Sequence, residues 1–362
     1  MDSVETITKS NSALPRLRIG NVDIGFPAVQ AALSGYSDGA MRIIARRLGA
    51  PYTLCEVLLD QFVLAAGHSK KNQPRLRVTD EEHPVGGQLM GANPDDFGPA
   101  ATRLVQAGFD VIDINFGCPV KKVLGRCRGG YLLGHVDAAL EIVSRVREAV
   151  PPQVPVTVKM RRGLDDSAES RERFFTIFDG AFDRGVAAIT VHGRTVKQRY
   201  IGPSSWDFLA EVKRHAGPRT VLGSGDLFSP QACVDMLRQT GMDGVTIARG
   251  AIGNPWIFSQ VRALAAGLPM PEAPRLLEQR RVIEQHYELS QAIYGPQTFG
   301  RQMRKFGIKY SQLHPDSLAV RNAFIAVKRP EELPLVLARF YSEDLPGRHP
   351  AFEVDEAADC EA

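Results

Sequence analysis

A polar side chain and a thiol follow a short apolar run near the middle of the chain. The run covers residues 111–114 and stops at Asn115, and Gly117, Cys118 and Pro119 come next. This pattern is typical of a buried strand that brings polar groups to the edge of a sheet or barrel. A cysteine with a pKa of about 8.5 is mostly a neutral thiol near pH 7, so Cys118 can donate a proton. An isolated cysteine is more often a small buried apolar residue, but the strand-end position favours chemistry.

Other polar side chains stand at the ends of apolar runs in the same way. An unpaired buried lysine is costly, so Lys159 either serves a ligand or forms an ion pair with Glu56 or Asp113. Arg249 beside Gly250 suits a phosphate, because a guanidinium and backbone N–H groups converge there; a surface ion pair is its alternative role. The remaining strand-end candidates are Gln88, His192 and the segment 224–226.

The runs that carry these residues alternate with helical patterns. Eight predicted strands that alternate with helices fill about 240 residues, which is the size of one (β/α)₈ TIM barrel. Polar residues fall at the carboxyl ends of the strands, where this α/β fold carries its active site, and glycine-rich turns follow the seventh and eighth strands, where such barrels bind phosphate. The predicted strands are 27–33, 53–58, 84–90, 111–115, 154–160, 187–191, 220–222 and 244–247, and the predicted helices between them are 39–48, 94–107, 137–150, 168–184, 206–215 and 230–239.

The pattern changes after residue 271. Residues 275–339 read as helices, and residues 275–329 carry 10 Lys or Arg against 4 Asp or Glu, a local charge of 10 − 4 = +6 against +3 for the whole chain. At helical spacing Arg301, Lys305 and Lys309 share one face, and the apolar Met303 and Phe306 lie on another. We therefore predict an extension over 1–24, a barrel over 25–270, a small basic helical domain over 271–342 and a mobile acidic tail over 343–362.

Composition bounds the class of protein. The apolar fraction of 44% and the charged fraction of 23% are ordinary for a globular protein. Five scattered cysteines without C-x-x-C spacing argue against a zinc site or a disulfide framework and fit a reducing cytoplasm. The N-terminus lacks an apolar segment, and no run is long enough to span a membrane. We therefore expect a cytoplasmic protein without a metal site, and a monomer.

Several longer motifs resemble those of one enzyme family. They are DINFGCPVKKV, VTVKMRRGLDD, ITVHGRTVKQRYIGPSSW, GSGDLFSP and GVTIARGAIGNPWIF, followed by the helical RQMRKFGIKY. In this order and spacing they resemble the tRNA-dihydrouridine synthases, nearest to the B-type bacterial branch. The resemblance covers about residues 25–340. It implies a barrel that binds FMN, a helical domain that binds tRNA, and NADPH as the electron source.

The resemblance also implies a reaction and roles for residues. The family reduces the C5–C6 double bond of selected uridines in tRNA, adding a hydride from reduced FMN to C6 and a proton to C5. Cys118 aligns with the proton-donating cysteine. The expected cofactor contacts are Ala32, Leu33, Ser34, Gln88, Lys159, His192, Ser224, Gly225, Asp226, Ala248 and Arg249, and the expected substrate contacts are Asn115, Arg161, Arg194, Arg301, Arg304 and Lys305. Asn115 has a second possible role as the cap of the loop that follows it.

Some motifs depart from the family pattern. The usual Ala-Pro-Met-Ala-Gly is here Ala31 to Gly35 with the sequence AALSG, Ser224 replaces an Asn, and Ala248 replaces a Gly. Residues 126–130 read RCRGG where the family has Gly-Ala-Gly. Two other functions stay open. One is an FMN-dependent barrel reductase of a free small molecule, such as dihydroorotate or an enone, and the other is an RNA-binding protein with a degenerate barrel.

Overall fold

Eight parallel strands close into a ring at the centre of the molecule. The computed structural model describes residues 14–66, 73–295 and 299–351. An antiparallel hairpin, β1 (Leu17–Ile19) and β2 (Val22–Gly25), precedes the ring. The ring consists of β3 (Ala28–Gln30), β4 (Thr53–Leu54), β6 (Val85–Met90), β7 (Val111–Phe116), β8 (Val156–Arg161), β9 (Ala188–His192), β10 (Thr220–Ser224) and β11 (Gly244–Ile247), and the short β5 (Leu58–Leu59) pairs with the end of β6. Pairing of β11 with β3 and of β4 with β6 closes the barrel, so the predicted fold is confirmed.

Helices surround the ring and continue beyond it. Those of the barrel are α1 (Gly39–Arg47), α2 (Asp60–Ala66), α3 (Gln73–Leu76), α4 (Pro94–Gln106), α5 (Lys121–Leu124), α6 (Val136–Ala149), α7 (Ala168–Asp183), α8 (Trp206–Ala216), α9 (Pro230–Thr240) and α10 (Ile257–Ala265). The C-terminal helices are α11 (Leu276–Tyr294), α12 (Phe299–Tyr310), α13 (Ser317–Ala326) and α14 (Leu333–Phe340). Polar side chains start several of them; Asp38 accepts from the Met41 amide at 2.9 Å, which confirms its predicted role as the cap of α1.

The first two barrel strands are shorter than the sequence predicts. β3 ends at Gln30, and residues 31–34 already belong to the turn that leads into α1. The Leu33 carbonyl accepts from the amides of Tyr36 and Ser37, both at 3.0 Å, so the backbone curls away from the sheet. Apolar character alone predicts burial but not where the ladder of hydrogen bonds stops, which explains the error at residues 31–33.

The C-terminal helices share one apolar core with the barrel and contact it through α1. Met303, Phe306 and Tyr310 of α12 are buried, as their spacing predicts. The Tyr294 hydroxyl donates to Asp38 Oδ2 at 2.9 Å, which ties α11 to the start of α1. The helical region is therefore anchored beside the turn that follows the first barrel strand.

Lys305 lies at the same contact rather than on an open face. Its ammonium donates to the Gly35 carbonyl and lies 4.4 Å from the centre of the Tyr36 ring. Burial lowers its pKa from the usual lysine value. Helical spacing predicts that Lys305 shares a face with Arg301 but does not show that its ammonium contacts Gly35 and Tyr36; a contact of Lys305 with RNA stays a prediction.

The contact of Lys305 predicts a loss of stability on mutation. We expect Lys305→Met to lower the free energy of unfolding by about 1–2 kcal/mol, because it removes a hydrogen bond and a cation–π contact between the two regions. Arg301→Met on the exposed side of the same helix is the matched control and should change it by less than about 0.5 kcal/mol. Chemical denaturation of both variants measures the difference; equal effects would show that Lys305 stabilises nothing.

Residues 343–351 differ from the mobile tail predicted to begin at residue 343. Arg275 Nε donates to Asp344 Oδ2 at 2.7 Å, and the Arg348 amide donates to the Leu313 carbonyl at 2.9 Å. A Cβ on Gly347 would lie 2.4 Å from Gln279 Nε2, so this segment passes close over the helices. The acidic composition of this segment predicts a mobile tail and does not show these specific contacts. The rest of the predicted tail, residues 352–362, and residues 1–13 of the predicted extension lie outside the described residues.

Candidate active site

The carboxyl ends of four adjacent strands bring the predicted chemical residues together. In the strand register Asn115 of β7 lies beside Lys159 of β8, and His192 of β9 lies between Arg161 of β8 and Ser224 of β10. Parallel strands in a closed barrel point their carboxyl ends to one face, so residues far apart in sequence meet there. This face is the candidate active site.

Asn115 caps the loop that carries the thiol. Its Oδ1 accepts from the backbone amides of Gly117 at 2.9 Å and Cys118 at 3.0 Å. Its Nδ2 donates to Gln88 Oε1 at 2.8 Å. The side chain is buried and both of its polar atoms are used by the protein. The alternative role foreseen for Asn115 is therefore the one that these contacts display, and a contact with a base stays a prediction.

Two glycines let the loop fold back against Cys118. Gly129 has a φ of +59°, and a Cβ there would lie 2.9 Å from Cys118 Cβ. A Cβ on Gly130 would lie 2.7 Å from Val196 Cγ2. Cys118 itself is partly buried, and its carbonyl accepts from the Gly130 amide at 3.0 Å. In the sequence these glycines stand out only as a departure from the family pattern, and their adjacency is the one signal of a close approach.

Lys159 presents a cation at the barrel mouth. It is partly exposed, and within the described ranges no side chain or carbonyl forms a hydrogen bond or ion pair with it. Burial and the positive charge of Arg161 lower its pKa to about 8, and Asp113 opposes that change. The ion pair with Glu56 considered from the sequence does not form; Glu56 Oε2 accepts from the Gly35 amide at 2.9 Å, and Glu56 Oε1 lies 3.7 Å from Arg75 Nε. The donors of the Lys159 ammonium are therefore not used by any described residue.

His192 is buried among cations. Burial lowers its pKa well below the usual histidine value, and the charges of Arg161, Lys159 and Arg194 add to this effect. The imidazole is therefore neutral at physiological pH, with one nitrogen that donates and one that accepts. Arg194 approaches Nε2 at 3.4 Å, which leaves Nδ1 as the nitrogen that carries hydrogen.

Arg161 lies inside the protein beneath two loops of the mouth. Its Nε donates to the Gly117 carbonyl at 2.9 Å, and its NH1 donates to the carbonyls of Thr195 at 2.8 Å and Arg199 at 2.6 Å. The side chain is buried, and all three of these contacts are with backbone carbonyls. Arg161 thus joins the Cys118 loop to the loop after β9. The contact with the substrate expected from the sequence stays a prediction.

Arg194 has a similar buried position. Its NH2 donates to both carboxylate oxygens of Asp226, at 2.7 and 2.9 Å, and its Nε donates to the Gly202 carbonyl at 2.7 Å. Asp226 also accepts from the Ser204 amide at 2.8 Å. The predicted substrate contact of Arg194 and the predicted cofactor contact of Asp226 are here partners in one ion pair, which shapes the turn after β10.

The turns after β10 and β11 form the other end of the site. A Cβ on Gly225, whose φ is +121°, would lie 2.8 Å from His192 Cδ2. Arg249 follows β11 and stands between two aromatic rings, 4.9 Å from the centre of Tyr200 and 4.8 Å from that of Phe228. No hydrogen bond holds its guanidinium in the part of the chain that is described. The sequence does not predict that Tyr200 or Phe228 contacts Arg249, because the three residues lie on separate loops.

The remaining predicted contacts lie around this face. Ala32 and Leu33 are partly buried and Ser34 is exposed, all in the turn that leads into α1. Ser224 is buried, Ala248 is partly buried, and Gln88 is fully buried below Asn115. Arg301 and Arg304 are exposed on α12, and Arg304 donates to the Ile325 carbonyl at 2.7 Å.

The donors at this face suit a planar anionic cofactor with a phosphate. Lys159 offers an unpaired cation at one end, and Arg249 offers a guanidinium held by aromatic stacking at the other. Gly225 packs tightly against Ser204 and His192, because a Cβ there would lie 2.3 Å from Ser204 Oγ and 2.8 Å from His192 Cδ2. Among the described residues no group of three or more His, Cys, Asp or Glu side chains is arranged to hold a metal ion.

Comparison with known proteins gives the family. The model of the Dihydrouridine synthase (Dus) family matches residues 29–343. The chain belongs to the dihydrouridine synthase family. It is 34% identical over 337 residues to a probable tRNA-dihydrouridine synthase of Mycobacterium tuberculosis, covering 90% of this chain and 85% of the relative. It is 35% identical over 330 residues to tRNA-dihydrouridine synthase B of Xanthomonas campestris pv. campestris, covering 91% and 96%.

Solved structures of other enzymes share the fold of this dihydrouridine synthase family member. Morphinone reductase superposes with a TM-score of 0.53 and 16% identity, over 74% of this chain and 92% of that chain. An old yellow enzyme homologue from Zymomonas mobilis gives a TM-score of 0.52 at 15% identity, over 72% and 94%. These likenesses support the barrel. None of the helices in residues 14–66, 73–295 and 299–351 is long and apolar enough to cross a membrane.

Proposed function

We propose that this protein reduces the C5–C6 double bond of specific uridines in tRNA to 5,6-dihydrouridine, with FMN as cofactor and NADPH as reductant. The observation that carries the proposal is the position of Cys118, a partly exposed thiol on a capped loop at the barrel mouth, in a chain that belongs to the dihydrouridine synthase family. The substrate also implies a cytoplasmic site of action.

The cofactor, when bound and reduced, supplies a hydride for C6 of the uracil ring. Lys159 would hold its negatively charged end, because a fixed cation in a partly buried site stabilises charge more strongly than water does. Arg249 would bind its phosphate together with the turn at Gly225. Gln88, His192 and Ser224 are the other strand-end side chains that we expect to contact it.

Cys118 supplies the proton for C5. A thiol transfers a proton only when it stays protonated until the substrate is in place and when its position is fixed. The Asn115 cap and the two glycines that pack against Cys118 restrict the loop to one conformation. The thiol that has lost its proton is reprotonated from solvent at the open mouth.

A uridine must leave the folded RNA to enter the barrel. The phosphates of the RNA then stay outside the site, and cations on the protein surface are needed to bind them. Arg301 and Arg304 are exposed on α12 and supply such charge. Arg161 and Arg194 serve this step indirectly, because their buried guanidinium groups hold the loops that line the entrance.

Salt dependence tests the role of α12. We expect Arg301→Ala to weaken tRNA binding about equally for all tRNA sequences and to reduce the slope of log K against log[salt] by about one. Each lost phosphate contact releases one condensed cation fewer. Lys305→Met is the control and should leave the slope unchanged, since its ammonium contacts Gly35. An unchanged slope for Arg301→Ala would remove that residue from the interface.

A reductase of a free small molecule remains the second candidate, because the barrel alone would serve it. The exposed basic helix favours RNA. Purified protein with FMN and NADPH is offered unmodified tRNA, free uracil and a simple enone. Oxidation of NADPH that depends on tRNA supports the proposal, and turnover of only the small molecules rejects it. A protein that binds tRNA but shows no flavin absorption band would indicate a degenerate barrel.

A further inference from the structure

A carboxylate lies inside the barrel beneath the candidate site and has received no role so far. Asp113 occupies the middle of β7, two residues before Asn115, and is 2% exposed. It forms no ion pair with any described residue. Burying a carboxylate is costly unless hydrogen bonds satisfy its oxygens.

Asp113 belongs to a continuous chain of hydrogen bonds that runs from Thr157 to the Cys118 amide. Thr157 Oγ1 donates to Asp113 Oδ1 at 2.5 Å, and Gln88 Nε2 donates to Asp113 Oδ2 at 2.6 Å. Gln88 Oε1 in turn accepts from Asn115 Nδ2 at 2.8 Å. Asn115 Oδ1 accepts from the Cys118 amide at 3.0 Å, as described above.

We propose that Asp113 is a positioning residue, whose carboxylate anchors this chain and so holds the loop that carries Cys118 in one conformation. The proposal rests on the proposed function only in giving the Cys118 thiol a catalytic task. Thr157, Asp113 and Gln88 come from three different strands, so the anchor also fixes the Cys118 loop relative to the barrel wall.

The direction of each hydrogen bond in this chain is fixed by the donor at its end. Backbone amides only donate, so Asn115 must turn its Oδ1 toward Gly117 and Cys118 and its Nδ2 toward Gln88. Gln88 must then present Oε1 to Asn115, and its own Nε2 needs an acceptor on the far side. A carboxylate oxygen is such an acceptor. Without it the Gln88 amide has a buried donor with no partner and leaves this orientation, and Asn115 loses its second contact.

The acceptor and the charge of Asp113 can be separated by mutation. Asp113→Asn keeps a carbonyl oxygen for Gln88, and its new NH₂ group can donate to the Thr157 hydroxyl, which accepts as well as it donates. Asp113→Leu has a similar size and offers no acceptor. Only the leucine variant should therefore release the Cys118 loop.

Amide hydrogen exchange at Gly117 and Cys118 reads the loop directly and does not use the reaction. Measured by mass spectrometry with residue resolution on the full chain, with and without added FMN, both amides should exchange about tenfold faster in Asp113→Leu. In Asp113→Asn they should stay within about threefold of the wild type. Thr246→Val is the matched control, because that buried barrel hydroxyl has no partner among the described residues and lies outside the chain of hydrogen bonds.

The outcomes decide the proposal. Wild-type exchange in a folded Asp113→Leu variant overturns it, as does equally fast exchange in Asp113→Asn or in Thr246→Val. If the leucine variant does not fold, Gln88→Leu breaks the same chain one link further on, and unchanged exchange at Cys118 in that variant overturns the proposal. Failure of tRNA reduction in the wild type would reject the proposed function while leaving these exchange results intact.

Discussion

Cys118→Ala is expected to lower the rate of dihydrouridine formation by about 10²–10⁴-fold, the usual contribution of a positioned general acid. The variant should still bind FMN and still oxidise NADPH, because no predicted flavin contact is removed. Single-turnover reduction of unmodified tRNA measures the loss, and the flavin absorption band shows that the cofactor is present.

The neighbouring Cys127 provides a matched control for Cys118. It is the exposed cysteine of the same loop, and Cys127→Ala should retain most of the activity. Full activity of Cys118→Ala would reject the thiol as the proton donor. Loss of the flavin band in that variant would instead give Cys118 a role in holding the cofactor.

Lys159→Met is expected to lower the rate of uridine reduction or the affinity for FMN by about 10²–10³-fold. Methionine is similar in size to lysine, so the substitution removes a preorganised positive charge and little else. The pH dependence carries the same information. Lysine is charged below its pKa, so with a pKa of about 8 the cation is lost as pH rises through about 8, whereas an ordinary lysine keeps it to 10.5. The wild-type rate should therefore fall on the alkaline side near pH 8.

The controls for Lys159 separate its charge from its bulk. Lys197 is exposed and paired with Asp165 on a nearby loop, and Lys197→Met should leave both flavin affinity and the pH profile unchanged. In Lys159→Met most of the activity should be lost, and the alkaline limb should shift from the Lys159 pKa of about 8 to the pH at which the Cys118 thiol loses its proton. A variant that keeps the wild-type rate and the same limb would show that another group titrates there.

The positions of Cys118, Lys159 and His192 were predictable because they depend on strand ends. In parallel strands of a barrel, the residue after the last apolar position lies at one common face, so strand boundaries alone bring such residues together. The cap formed by Asn115 was also within reach, since Asn before a turn commonly bonds backbone amides two or three residues on. The family resemblance then attached chemistry to these positions.

Other features depend on contacts between distant loops, which a single sequence does not encode locally. Arg161 and Arg194 look like any solvated charge in sequence, yet backbone carbonyls and Asp226 bury them. Lys305 shares a helical repeat with the exposed Arg301 but packs against Gly35. Asp113 entered the sequence analysis only as a possible ion-pair partner of Lys159, whereas its hydrogen bonds are with Thr157 and Gln88 on neighbouring strands.

The most direct test of the central claim is a map of dihydrouridine in tRNA from cells that lack this gene, made by nucleoside mass spectrometry of isolated tRNAs. If this protein reduces uridine in tRNA with Cys118 as the proton donor, dihydrouridine disappears from at least one position in the deletion strain. It returns when the wild-type gene is restored and does not return with Cys118→Ala. Unchanged dihydrouridine at every position in the deletion strain, together with no mass gain in unmodified tRNA treated with the purified protein, FMN and NADPH, would contradict it.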